Sequence, residues 1–66
     1  MKIKINGIDK EIEKNTTIKK LLEDLKVLDK TMAVAVNMKI VKKDEWDKFI
    51  LQEGDKIEAL NFVGGG

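Results

Sequence analysis

Only one stretch of this chain repeats apolar residues at helical spacing. Ile18, Leu21, Leu22 and Leu25, with Leu28 beyond them, recur every three or four positions, while Lys19, Lys20, Glu23, Asp24 and Lys26 fall on the opposite side. The other patterned segments alternate with a period of two, the signature of half-buried strands. A sheet needs a cover over its apolar face, and one helix covers one face only. These two constraints predict an α+β roll, four or five strands wrapped on a single helix, with the second face open to solvent or to a partner. The chain has 66 residues, room for one domain with one small core. A domain of that size buries only about 60% of the surface its unfolded chain exposes, so its stability margin is thin.

The strands follow from local signals. Met1, Ile3 and Ile5 alternate with Lys2 and Lys4, and Asn6-Gly7 follows at once. That pair supplies the two positive-φ positions of a tight hairpin turn. The returning strand is expected over Ile8–Glu13, carrying Ile8 and Ile12, before a polar loop at Lys14–Thr16. Thr17 is placed to cap a helix over Ile18–Lys26. Lys19 and Lys20 in its first turn oppose the macrodipole, so packing of the leucine face must hold it. Ala33–Asn37 reads as a strand with small residues on both faces, hence central or near-central. Asn37-Met38 turns the chain into a short strand, Lys39–Val41. The charged segment Lys42–Asp47 contains Trp46, the one tryptophan, read as closing an end of the core rather than meeting a ligand. Phe49, Ile50 and Leu51 follow, then a turn at Gly54-Asp55 and a last strand over Lys56–Val63. The order is ββαβββ. In the last strand Ile57 and Ala59 form the core-facing set, which leaves Leu60 and Phe62 on the open face. A register slip of one residue reverses that assignment. An exposed apolar pair of this kind is a candidate docking surface.

The residue types that are missing narrow the chemistry. There is no Cys, His, Ser, Tyr, Arg or Pro, and all 13 basic residues are lysine. Triad-type acyl transfer has no nucleophile or base here, and zinc or redox-metal sites built on Cys and His have no ligands. The net charge of +1 lacks the basic excess expected of a nucleic-acid binder. No apolar run is long enough to span a membrane, and the alternating start is unlike a signal peptide. The expectation is a cytoplasmic protein that binds no metal and no cofactor of its own. Asp44, Glu45 and Asp47, and the pair Asp24 and Asp29, do not match calcium-loop spacing and read as solvated surface. Lys19, Lys20, Lys42 and Lys43 are able to meet an acidic partner surface.

The sequence closes on Gly64-Gly65-Gly66. The plain reading is a frayed end. The functional one is that glycines thread a narrow channel, because they lack Cβ, and present an unhindered carboxylate. In a chain without Cys, Ser or His that carboxylate is the most accessible reactive group, open to activation as an acyl-adenylate and capture by a sulfur or nitrogen nucleophile. The expected organisation is a folded domain over residues 1–63 and a flexible glycine tail over residues 64–66.

Taken in order, Ile3-Lys4-Ile5-Asn6-Gly7, Thr17-Ile18 with Leu21-Leu22 and Leu25, Ala33-Val34-Ala35-Val36-Asn37, Ile40-Val41, Trp46, Gly54-Asp55, Ile57-Glu58 and Phe62-Val63-Gly64-Gly65-Gly66 make a whole-chain pattern. It resembles the ThiS family of the ubiquitin-like β-grasp superfamily, sulfur carriers of thiamine biosynthesis. The resemblance implies that the Gly66 carboxylate is adenylated with ATP by a ThiF-type enzyme. A cysteine desulfurase relay then supplies sulfur, and the resulting thiocarboxylate donates it to a ThiG-type thiazole synthase. It also implies that Gly64 and Gly65 thread into partner sites and that Leu60 and Phe62 fall in a partner-facing patch. On this reading ATP is consumed by the partner, and the chain is a recycled co-substrate rather than an enzyme. Two other readings share the activation chemistry. One is a MoaD-like small subunit of molybdopterin synthase or another sulfur carrier, although such chains are usually longer and often carry proline before the glycines. The other is a ubiquitin-like covalent protein tag.

Overall fold

In the computed structural model the described residues are 1–61. The expectations for Phe62, Gly64, Gly65 and Gly66, and for the last strand beyond Asn61, lie outside them.

Five strands and one helix form in the expected order. They are β1 (Lys2–Ile5), β2 (Ile8–Glu11), α1 (Ile18–Asp24), β3 (Thr31–Val36), β4 (Lys39–Val41) and β5 (Lys56–Asn61), with 3-10 turns at Leu28–Lys30 and Lys43–Glu45. The strands make one mixed sheet in the order β2-β1-β5-β3-β4. β1 and β5 are parallel, and the other neighbours are antiparallel. The last strand therefore sits in the middle of the sheet, and β3 is near-central beside it. Ile3, Ile5, Val34, Val36 and Ile57 point to one face and meet Ile18, Leu21 and Leu22 of α1, with Leu51 and Trp46 completing the core. Each large apolar side chain buried in this way contributes roughly 1.5–3 kcal/mol.

The first turn of α1 has no acidic residue to complement its dipole. Its free N–H groups are satisfied by geometry instead. Thr17 accepts at Oγ1 from Lys20 N at 3.1 Å, the expected cap. Ile18 N donates to Phe49 O at 3.1 Å and Lys19 N to Trp46 O at 3.0 Å. The segment before β5 thus doubles as a cover for the helix start, where orphan donors need partners.

β3 spans Thr31–Val36 rather than Ala33–Asn37, because Thr31 pairs with Asn61 of β5 and Asn37 turns left-handed at φ 51°. The ends of α1 and β2 fall short of expectation, for physical reasons. α1 stops at Asp24 rather than Lys26, because Lys26 turns left-handed at φ 61°. Lys26 N donates to Glu23 O and Val27 N to Leu22 O, which is a Schellman motif closed on a lysine. Without glycine at that position the sequence carries no visible stop. β2 stops at Glu11 rather than Glu13. Ile12 N still reaches Met1 O at 2.8 Å, but the Glu13 carbonyl turns away to accept from the Thr16 hydroxyl at 2.6 Å.

Trp46 closes one end of the core as expected. It is buried, its Nε1 donates to Val41 O at 2.9 Å, and Lys43 Nζ lies 5.7 Å from the ring centroid. Among the described residues no helix is long and apolar enough to cross a membrane.

Candidate functional site

β5 is the strand that leads toward the terminal glycines, and its surroundings define the site. Ile57 is 1% exposed while Leu60 is 62% exposed, so the register puts Ile57 in the core and Leu60 on the open face. Lys56 and Glu58 alternate with Ile57 and share Leu60's side. Leu60 lies opposite Ala33, and Ala35 lies opposite both Glu58 and Ile40. Ala33, Ala35, Ile40 and Leu60, with Asn6 and Glu58 at the margin, line a shallow depression. The small residues of β3 leave room there, because a methyl group does not fill the pleat between Leu60 and Ile40.

Ile40 is the residue the sequence reading missed. It stands exposed on the middle position of β4, flanked by Lys39 and by half-buried Val41. The period-two rule contained the signal: Val41 on the core side puts Ile40 on the open side. Phe62, the expected companion of Leu60, lies outside the described residues, as do Gly64, Gly65 and Gly66. Toward β1 the same face is polar. Lys4 lies beside Lys56 in register and is bridged to Asp9 at 3.7 Å.

Side chains hold β5 at three points beyond its backbone ladders. At its start Lys56 N donates to Asn37 Oδ1 at 3.0 Å, and Asn37 Nδ2 donates to Asp55 Oδ1 at 3.0 Å. Asp55 is buried, and its other oxygen accepts from Gln52 N at 2.8 Å. Midway, Ala59 N donates to Asn6 Oδ1 at 2.8 Å and Asn6 Nδ2 donates to Ala59 O at 3.3 Å. At its end the buried Thr31 hydroxyl donates to Val27 O at 2.7 Å and lies 3.1 Å from the Asn61 side-chain amide. Among the described residues no group of three or more His, Cys, Asp or Glu is arranged to hold a metal ion.

One helix across one face of a five-stranded mixed sheet, with the last strand central and parallel to the first, defines a ubiquitin-like β-grasp protein. The crystal structure of the thiamine biosynthesis protein ThiS from Geobacter metallireducens has this arrangement. It matches with a TM-score of 0.82 and 27% identity, covering 100% of both chains. The ThiS family model matches residues 3–66. The sulfur carrier protein ThiS of Escherichia coli is 32% identical over 66 residues, 100% of each chain. The chain belongs to the ThiS family. A thiazole synthase of Paramagnetospirillum magneticum is also similar, 36% identical over all 66 residues, and the chain spans 20% of that relative's length.

Proposed function

We propose that this chain is a sulfur carrier of thiamine biosynthesis, with Gly66 as the carrying residue. The observation that supports this most is a family match that runs through the terminal glycines, together with end-to-end similarity to a sulfur carrier protein. In the proposed cycle the Gly66 carboxylate attacks the α-phosphorus of ATP on a ThiF-type enzyme and pyrophosphate leaves. A persulfide, formed from cysteine by a desulfurase relay, attacks the acyl carbon and displaces AMP. A partner or solution thiol then reduces the resulting acyl disulfide, itself ending as a disulfide, to release the thiocarboxylate. The net change replaces one carboxylate oxygen by sulfur, and the thiocarboxylate passes that sulfur to a ThiG-type thiazole synthase. The likeness of this chain to one fifth of a thiazole synthase supports that last partner.

Every catalytic group in this cycle belongs to a partner. The carrier contributes a carboxylate, the glycines Gly64 and Gly65 that allow a narrow approach, and a docking face. Leu60 and Ile40 supply apolar contact, and Ala33 and Ala35 let a partner side chain come close. Seating a glycine run in a partner opposes binding by roughly 1–2 kcal/mol per ordered residue, so the sheet face must supply the compensating affinity.

Intact-mass analysis tests the proposal. After incubation with ATP, a ThiF-type enzyme and a sulfur source, the chain gains the mass of one oxygen-to-sulfur exchange, located at Gly66. No gain, with partners that are active on another carrier, overturns it. Conjugates to other proteins that survive boiling and reductant would instead identify a covalent tag.

A further inference from the structure

We propose that Asn6 is a positioning residue for the carrier reaction, a second role for a residue whose first is to make a turn. This inference rests on the carrier reading above. β1 ends at Ile5, while its parallel neighbour β5 runs on to Asn61. The last backbone rung between them is Asn6 N to Ile57 O at 2.9 Å. There the chain reverses through Asn6 and Gly7, with φ 48° and 83°, and leaves β5 with no strand on that side. Ala59, the next residue facing β1, has both an N–H and a C=O to satisfy. The Asn6 side chain supplies both partners, accepting at 2.8 Å and donating at 3.3 Å.

A primary amide carries the donor and acceptor of a peptide group. Asn6 therefore extends β1 by one rung after its backbone has turned away. The rung joins residues 53 apart in sequence. It fixes the middle of β5 immediately before Leu60, on the strand that leads to Gly66, and Asn6 itself borders the depression beside Leu60. The docking face and the start of the path to Gly66 are thereby held in one geometry. Small errors of placement cost rate more than affinity when a reacting group must reach a fixed site, up to about 100-fold for 1 Å.

Two variants keep the turn and change the rung. Asn6→Gly retains the left-handed conformation and removes the amide. Asn6→Asp retains an acceptor for Ala59 N but sets a carboxylate oxygen against Ala59 O. Hydrogen exchange in the free protein reads the rung directly: Ala59 N–H exchanges about tenfold faster or more in Asn6→Gly, while Val34 and Ile3 stay protected. Steady-state adenylation by the activating enzyme reads the role: kcat falls about tenfold in both variants, with KM for the carrier within about twofold of wild type. Unchanged Ala59 exchange in Asn6→Gly overturns the rung. Faster exchange with unchanged kcat, or a rise in KM alone, overturns the positioning role. Wild-type chain that is not adenylated overturns the carrier reading itself, and the exchange measurement still decides the rung.

Discussion

The turn at Asn6–Gly7 joins β1 to β2, and the turn at Asn37–Met38 joins β3 to β4. Both place an asparagine in the left-handed region, at φ 48° and 51°, followed by a second positive φ of 83° and 71°. Both asparagine side chains then reach β5, from its two flanks. Asn6 meets the backbone of Ala59 at an exposed position. Asn37 meets Lys56 N and the carboxylate of buried Asp55. The second positions differ as well. Gly7 has no Cβ, whereas Met38 adopts the same conformation with a side chain that is 87% exposed. One backbone motif thus serves two depths of burial and two levels of strain. The difference teaches that hydrogen-bond partners, not turn type, set what such a turn contributes.

The largest effect is expected at Asn37. Asn37→Gly keeps the turn but strips a donor from a buried carboxylate, at a cost of about 2 kcal/mol. That corresponds to a fall in melting temperature of roughly 8–16 °C for a domain this small. Thermal denaturation showing no larger loss than for Asn6→Gly would break the comparison. Next is Gly7→Ala. A Cβ at Gly7 meets nothing within 4 Å, so its cost is backbone strain alone, about 1.5 kcal/mol. A neutral result would mean that the turn relaxes to another type. Asn6→Gly follows, at about 1 kcal/mol for an exposed hydrogen-bonded pair. The smallest change is a gain. Met38→Gly relieves left-handed strain of about 1–2 kcal/mol and adds unfolded-chain entropy of roughly 0.5–1 kcal/mol, for a net stabilisation of about 0.5 kcal/mol. A measured loss would show that Met38 makes contacts its exposure does not suggest.

Much of the fold was legible because short-range physics carries it. The alternation of Met1 to Ile5, the Asn6-Gly7 turn, the Thr17 cap and the three residues of β4 each satisfy a local rule, and each stands where that rule puts it. The end of α1 was not legible, because its Schellman stop uses lysine at a position where glycine is the usual signal. In the candidate site, the side of β5 that carries Leu60 followed from alternation once Ile57 was assigned to the core. Ile40 was passed over because its side follows from alternation only once its neighbour Val41 is assigned to the core. The clamps on β5 were invisible, since Asn6 and Ala59 are brought together only by the parallel pairing of β1 with β5.

By itself the sequence determined which segments are strands and which is the helix. It also determined that Cys and His chemistry has no place here, and that the terminal glycines are the feature to explain. Periodicity, turn residues and composition act over a few positions or over none, so they need no fold to be read. Only the tertiary structure decided that β5 lies at the centre of the sheet and that Leu60 shares a face with Ile40. It alone gave the two turn asparagines their partners on the strand that leads to Gly66. These facts depend on which strands become neighbours, and that follows from burying the Ile, Val and Leu side chains of the whole chain around one helix at once.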